Sequence, residues 1–186
     1  MGLLSIRQSD RDLASNDRFL DLAVAVGTFT PIELLDHTMT RARSYRVAIV
    51  KKPSTSLVLS KFATTLYTQI RVPHGFGDWG TASKAILLAH ELVHVRQWRS
   101  MRARNFGARY IFSPRFRWSM EMQAYRETVR AQLLMGWTET AVANAIEQRA
   151  DKLFADYSLR TIRRNHVERY TRAVLYAELR SRLHEK

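Results

Sequence analysis

Residues 89–98 read AHELVHVRQW, with two histidines four positions apart and a glutamate directly after the first. Residues four apart on an α-helix differ by about 6 Å along the axis and about 40° around it. The side chains of His90 and His94 therefore project from one face, close enough to bind one metal ion. Glu91 is rotated by about 100° from His90, so its carboxylate can approach a metal-held water without becoming a ligand. The spacing predicts a metal-binding helix with a general base beside the ligands.

The residues around this motif are apolar until Arg96, which makes its three polar side chains conspicuous. The apolar neighbours are Ile86, Leu87, Leu88, Ala89, Leu92, Val93 and Val95. One alternative is a core helix whose polar groups are satisfied by other side chains. We favour a metal, because buried polar groups need partners and one ion would serve all three. The chain contains no cysteine, so histidines and carboxylates have to hold that metal.

A catalytic zinc ion usually has three protein ligands and one open position. The extended pattern H-E-x-x-H-x-x-G-x-x-H would need glycine at position 97 and histidine at position 100. The chain has Gln97 and Ser100 instead, which excludes the metzincin layout. The next acidic residue is Glu121, within the stretch WSMEMQAYRE at 118–127. Glu121 is therefore the candidate third ligand.

The H-E-x-x-H motif and the later E-x-x-A-Y at 121–125 resemble the gluzincin, or thermolysin-like, metallopeptidases. They also resemble small metallopeptidases of bacteria and phages, over about residues 60–130. The resemblance implies a minimal zincin-like fold with one zinc ion held by His90, His94 and Glu121. It further implies hydrolysis of protein or peptide substrates with Glu91 as general base, and an edge strand before the active-site helix that binds an extended peptide.

Two further residues of the predicted helix bear on the third ligand. Ala124 lies one turn after Glu121, and its small side chain would let the two metal-site helices approach closely. Glu127 is the alternative ligand. It is rotated by about 240° from Glu121, so a regular helix cannot bring both carboxylates to one ion.

The resemblance also implies a donor to the developing oxyanion from outside the ligand set. The candidates are Tyr125, Tyr110, His74 and His166. Tyr125 is preferred because it lies one turn from Glu121, although each of these residues could instead belong to the core. Gln97, one turn after His94, could orient a ligand or be a solvated surface residue.

The whole chain, residues 1–186, is predicted to form one α+β domain. A helical lead-in (1–44) precedes a small mixed sheet and loop (45–80), the metal-site helices (81–135) and the C-terminal helices (136–186). The expected helices cover 9–26, 30–43, 81–103, 114–135, 138–157 and 159–184. The expected strands cover 45–50, 56–60 and 64–72, and a glycine-rich loop covers 74–80.

The chain is strongly basic, with 30 Lys and Arg against 17 acidic residues and a formal charge of +13. No acid occurs between Glu91 and Glu121, whereas arginines recur there among aromatic residues. Arginine favours planar anionic partners, so we expect weak binding to nucleic acid or an anionic surface. The seven arginines of this span are Arg96, Arg99, Arg102, Arg104, Arg109, Arg115 and Arg117, and all but Arg104 are the candidate contacts. A solvated basic surface without a partner is the alternative interpretation.

Two functions therefore compete. The first is a zinc-dependent peptidase, and the second is a nucleic-acid or anionic-surface binding protein with a structural zinc site. Glu91 favours the peptidase, because a structural site does not need a carboxylate beside its first ligand. The chain lacks a signal-like start and an apolar run long enough to cross a bilayer. These features predict a cytoplasmic protein and leave delivery to another cell open, while the oligomeric state is not predicted.

Overall fold

The computed structural model of the chain describes residues 29–52, 63–101, 103–156, 159 and 162–184. The helix expected at 9–26 and the strand expected at 56–60 lie outside these residues. The described part is mainly helical and includes a three-stranded mixed sheet, which confirms the α+β class. No helix within it is long and apolar enough to cross a membrane.

The described residues form six α-helices, and side chains cap the start of some of them. Their bounds are α1 Pro31–Ser44, α2 Thr81–Ser100, α3 Ala103–Phe112, α4 Pro114–Leu134, α5 Glu139–Asp156 and α6 Arg164–Leu183. Thr30 and Glu33 form a capping box at the start of α1. The side chain of Ser113 accepts from the backbone N–H of Phe116 at the start of α4.

The prediction of one helix over 81–103 is wrong at its end. Helix α2 stops at Ser100, Met101 is extended, and a separate helix, α3, follows. The break folds α3 back onto α2, where Gly107 approaches the ring of Trp98 so closely that an added Cβ would lie 3.0 Å from it. Helix α6 also begins later than predicted, and the expected loop at 74–80 contains a 3-10 helix, His74–Asp78.

The sheet has the strand order β1–β3–β2, with β1 Ala48–Lys51, β2 Thr64–Leu66 and β3 Gln69–Val72. Strand β3 pairs in parallel with β1 and antiparallel with β2. The prediction of a single edge strand over 64–72 is therefore wrong. The chain turns at Tyr67, whose φ is +42°, so β3 is central and β2 is an edge strand of the described sheet.

The two helices that carry the predicted ligands lie between two large apolar clusters. One cluster joins α1, the sheet and α2, and includes Leu34, Ile70 and Leu92. The other joins α4, α5 and α6, and its members include Met122 and Ile146. Helices α2 and α4 are thus held from both sides, and the candidate site lies where they meet.

Candidate metal centre

His90 and His94 on α2 face Glu121 on α4, and the structure brings these three predicted ligands together. Each offers one ligand atom, and these atoms all lie within 4.8 Å of one another. Nε2 of His90 is 3.5 Å from Oε2 of Glu121, and Nε2 of His94 is 3.4 Å from Oε1. The histidines are 7% exposed and the glutamate is 1% exposed. This buried group could hold a metal ion.

Two small residues close to the ligands along the chain are buried on α2 and α4. Ala89, next to the first histidine, and Ala124, one turn after Glu121, are both fully buried. Neither position has free space, so a larger side chain there would force its neighbours to shift. Ala124 is buried, and its steric role stays a prediction.

The ring of His90 is oriented by Thr128, which the sequence analysis did not identify. The Thr128 hydroxyl donates to the carbonyl oxygen of Ala124 at 3.3 Å, and Nδ1 of His90 is 3.2 Å from the same hydroxyl oxygen. Because the hydroxyl proton is used, Nδ1–H of His90 donates to Thr128. Nε2 is then the ring nitrogen that faces Glu121 and the one that could bind a metal.

The ring of His94 is held in the same tautomer by Gln97. The amide nitrogen of Gln97 donates to the carbonyl oxygen of Met120 and to Oε1 of Gln123, each at 3.0 Å. A carbonyl can only accept, so these bonds fix the amide orientation and leave Oε1 of Gln97 to accept from Nδ1–H of His94 at 2.8 Å. Gln97 is buried, so the alternative that it is a solvated surface residue is wrong.

Two imidazoles and a carboxylate share one buried space, and their electrostatics favour a positive charge there. Burial favours the neutral ring of His94, but the charge of Glu121 and its hydrogen bond raise the pKa of His94 to about 9. Burial alone would raise the pKa of Glu121, but His94 and His90 hold that pKa well below its usual range. Oε2 of Glu121 has no hydrogen-bond partner among the described residues. The group therefore attracts a positive charge, either a proton or a metal ion.

Glu91 lies beside this group on α2, and its carboxylate is held by a residue of the sheet. The hydroxyl of Thr65, on β2, donates to Oε2 of Glu91 at 2.6 Å, and both side chains are buried. Nearby, Nζ of Lys52 donates to the hydroxyl of Thr64 at 2.8 Å. Burial lowers the pKa of Lys52, and the negative charge of Glu91 opposes that shift. A carboxylate held by the sheet thus follows His90 directly, and the cation of Lys52 is close enough to interact with it.

Tyr110 reaches the ligand group from α3. Its hydroxyl donates to Oε1 of Glu121, and its ring centroid is 6.2 Å from that of His94. Burial raises the pKa of Tyr110 above its usual range, and the charge of Glu121 adds to the effect. The hydroxyl therefore stays protonated and available as a donor.

The other oxyanion candidates occupy different positions. Tyr125 packs its ring edge-on against His90, with centroids 4.7 Å apart, and the guanidinium of Arg149 lies 4.6 Å from the Tyr125 centroid. His74 is exposed on the 3-10 helix. His166 packs against Trp118 with centroids 5.8 Å apart. Tyr110 thus has a hydrogen bond to a ligand, whereas Tyr125 supports a ligand with its ring.

Glu127 is directed away from the histidines, as the helical geometry predicts. Its Oε2 pairs with Nη1 of Arg130 at 2.8 Å, and Nε of Arg130 lies 2.5 Å from Oε1 of Glu178 on α6. Burial raises the pKa of Glu127, opposed by Arg130 and Arg96. Glu127 belongs to an ion-pair network between α4 and α6.

Sequence reasoning missed Thr65, Thr128 and Gln123 as partners of the site. Thr128 could have been predicted from the sequence, because it lies two helical turns after Glu121 and so shares its face. Thr65 could not have been, since it reaches Glu91 across 26 residues through the packing of β2 on α2.

The arginines of the acid-free segment do not share one environment. Arg99 donates to the carbonyl oxygen of Tyr45, and Arg117 binds carbonyl oxygens at the end of α3. Arg109 and Arg115 are exposed. Arg96 is half-buried near Glu127, and Arg102 lies outside the described residues.

Comparison with known proteins adds no family to this description. The chain matches no protein-family model, no curated protein and no solved structure. The case for a function therefore depends on the geometry of the buried group and its neighbours.

Proposed function

We propose that this chain is a zinc-dependent peptidase of the zincin-like, gluzincin type, in which His90, His94 and Glu121 hold one zinc ion. The observation that carries the proposal is the position of Glu91. It is a buried carboxylate beside the ligand group, held by Thr65 and absent from the ligand set. A structural metal site has no use for such a group, whereas hydrolysis needs a base at this place.

The donor set favours zinc among the divalent metals. Two imidazoles and one carboxylate form a common ligand set of catalytic zinc, and three protein ligands leave a fourth position open. Both imidazoles offer Nε2 because Thr128 and Gln97 accept from their Nδ1–H groups. Magnesium and calcium prefer oxygen ligands, so the two nitrogens count against them.

Zinc, when bound, would lower the pKa of a water to about 7 and polarise the substrate carbonyl. The residues of the chain then handle the protons. Thr65 occupies Oε2 of Glu91, so Oε1 accepts the proton as the water oxygen adds to the carbonyl carbon. Glu91 then delivers that proton to the leaving amine nitrogen as the carbon–nitrogen bond breaks.

Tyr110 and strand β2 provide the other parts of this proposal. The protonated Tyr110 hydroxyl, which now donates to Glu121, would donate to the developing oxyanion when the substrate is in place. Tyr125 remains the second candidate and supports the ring of His90. An extended peptide would pair with the outer edge of β2, which in the described sheet bonds only to β3.

Glu91→Gln separates a general base from a ligand. Wild type should carry one zinc ion per chain and cleave an unfolded casein-like substrate. The variant should keep its zinc and lose at least about 10³-fold in rate, because the amide cannot accept the proton. Zinc is measured by elemental analysis and cleavage by release of peptides.

His90→Ala is the reference for a lost ligand, with both zinc and activity reduced. Loss of zinc from Glu91→Gln, or normal cleavage by it, would contradict the role of Glu91. Zinc-loaded wild type that cleaves nothing would instead favour the binding protein with a structural zinc.

A further inference from the structure

Two consecutive large apolar residues are exposed at the end of α3. Ile111 is 63% exposed and Phe112 is 83% exposed, and Phe112 is the most exposed large apolar residue of the described chain. Exposed apolar groups that are concentrated in one place mark contact sites for proteins or membranes. We call residues 109–115 the α3–α4 corner.

The α3–α4 corner is held in this shape by the chain itself. The guanidinium of Arg117 binds the carbonyl oxygen of Tyr110 at 2.7 Å and that of Ile111 at 2.6 Å. The backbone N–H of Ser113 donates to the carbonyl oxygen of Arg109 at 2.9 Å, and its hydroxyl caps α4. These hydrogen bonds fix the turn between α3 and α4, and with it the position of the two exposed apolar residues.

Exposed arginines flank the apolar pair. Arg109 precedes it and Arg115 follows it, and both are exposed. The guanidinium of Arg109 lies 4.1 Å from the ring centroid of Phe116, which holds it at the corner. No acidic residue occurs in the sequence from position 92 to position 120. The corner thus combines an apolar tip with a positive rim.

We propose that the α3–α4 corner binds anionic lipid bilayers. Ile111 and Phe112 would enter the boundary between headgroups and acyl chains, while Arg109 and Arg115 meet the lipid phosphates. Charge complementarity favours this occupant over a second copy of the chain, which would place these arginines against their equivalents. Nucleic acid would neutralise the arginines and stack on Phe112, but it offers nothing apolar to Ile111.

The corner adjoins the metal centre. Tyr110 directly precedes Ile111, and its hydroxyl contacts Glu121. A bilayer at the corner would therefore lie near the ligand group. If the proposed peptidase function holds, membrane-associated proteins become the favoured substrate class. The binding itself does not rest on that function.

Co-sedimentation of the full chain with lipid vesicles tests the proposal. We expect binding to vesicles of phosphatidylcholine mixed with phosphatidylglycerol, and much weaker binding to phosphatidylcholine alone. Replacing both apolar residues, Ile111→Ser with Phe112→Ser, should weaken binding at least about tenfold, because their transfer from water is lost. Arg109→Gln with Arg115→Gln should weaken it by a similar factor, since each charge near an anionic surface contributes about fivefold.

The chain offers matched controls on α1. Ile32 is also 63% exposed, and Arg43 is exposed, so Ile32→Ser and Arg43→Gln should bind like wild type. Absence of binding to the anionic vesicles would overturn the proposal. Unchanged binding of the Ile111 and Phe112 double variant would also overturn it. The contact would then depend on charge alone, which is how nucleic acid or an acidic protein would bind. The readout is binding, so a failed peptidase assay leaves it unaffected.

Discussion

Helix α4 carries two buried glutamates whose surroundings differ in charge. Glu121 and Glu127 are each 1% exposed, so burial does not distinguish them. Glu127 pairs with Arg130, a permanent cation. Glu121 instead faces the imidazoles of His90 and His94, which are neutral whenever Nε2 carries no proton.

The number of carboxylate oxygens without a hydrogen bond does not distinguish the two glutamates either. Each has one carboxylate oxygen without a hydrogen-bond partner among the described residues. The charge balance does separate them, because Glu127 and Glu178 are opposed by Arg126 and Arg130. Glu121 has no arginine or lysine among its described ion pairs, and a buried carboxylate needs a cation. The charge of one face of α4 is thus balanced by arginines, whereas Glu121 is left to a proton on the imidazoles or to a metal ion.

The largest expected effect is on zinc affinity. Glu121→Ala should weaken zinc binding by about 10³-fold, or about 4 kcal/mol, because a ligand is lost. Glu127→Ala should leave the zinc dissociation constant within about threefold of wild type, since its carboxylate lies in the arginine network. Competition with a chromophoric chelator measures both constants.

Here too, His90→Ala serves as the reference for a missing ligand. Glu127→Gln, which keeps the size of the side chain, guards against a folding defect in the alanine variant. The assignment of Glu121 as the third ligand would be wrong if Glu127→Ala lost zinc like His90→Ala while Glu121→Ala bound zinc normally.

A smaller effect should appear in stability and not in zinc binding. Glu178→Ala should lower the free energy of unfolding by about 3 kcal/mol, because it leaves the buried guanidinium of Arg130 without one of its two carboxylates. Urea unfolding of the metal-free protein measures this change. Glu147→Ala is the matched control, since Glu147 binds the half-exposed Arg172 at 2.6 Å and should cost at most about 1 kcal/mol. A similar loss in both variants would mean that the α4–α6 network is not a special source of stability.

The smallest expected effect concerns the residues that orient the ligands. Gln97→Ala should weaken zinc binding by about tenfold to a hundredfold, because Nδ1–H of His94 loses its acceptor and the ring its orientation. Gln123→Ala removes one of two acceptors of the Gln97 amide and should have less effect. The same chelator competition applies, and wild-type affinity in Gln97→Ala would assign Gln97 to packing alone.

Local chemistry made several parts of the fold predictable. Thr30 and Pro31 mark the start of α1, and Pro114 marks the start of α4. The four-residue spacing of His90 and His94 places them on one helical face by geometry alone. Each of these features depends only on residues a few positions away, so it can be recognised in the sequence.

The turn at Tyr67 and the helix break at Met101 could not be read in this way. Neither is marked by glycine or proline, and Tyr67 adopts a positive φ that few residues favour. At the break, Trp98 packs on Phe106 with centroids 4.7 Å apart and meets Gly107, which folds α3 back. Such packing between separate segments overrides the local preference for one long helix.

The same limit applies to the site. The ligands follow from spacing, whereas the residues that orient them come from elsewhere in the chain. Thr65 reaches Glu91 across 26 residues, and Thr128 reaches His90 across 38. Tyr110 contacts Glu121 because α3 folds back, an element that the sequence did not predict.

The make-up of the ligand group determines how the protein should respond to oxidants. Imidazole and carboxylate ligands have no sulfur to oxidise, and the chain contains no thiol. The thioethers nearest to Glu121 along the chain belong to Met120 and Met122, which are both buried and so shielded from peroxide. Zinc, the metal proposed for this group, has a single stable oxidation state. A site of this composition should keep its metal in reducing and oxidising surroundings alike, where a thiolate site would lose it.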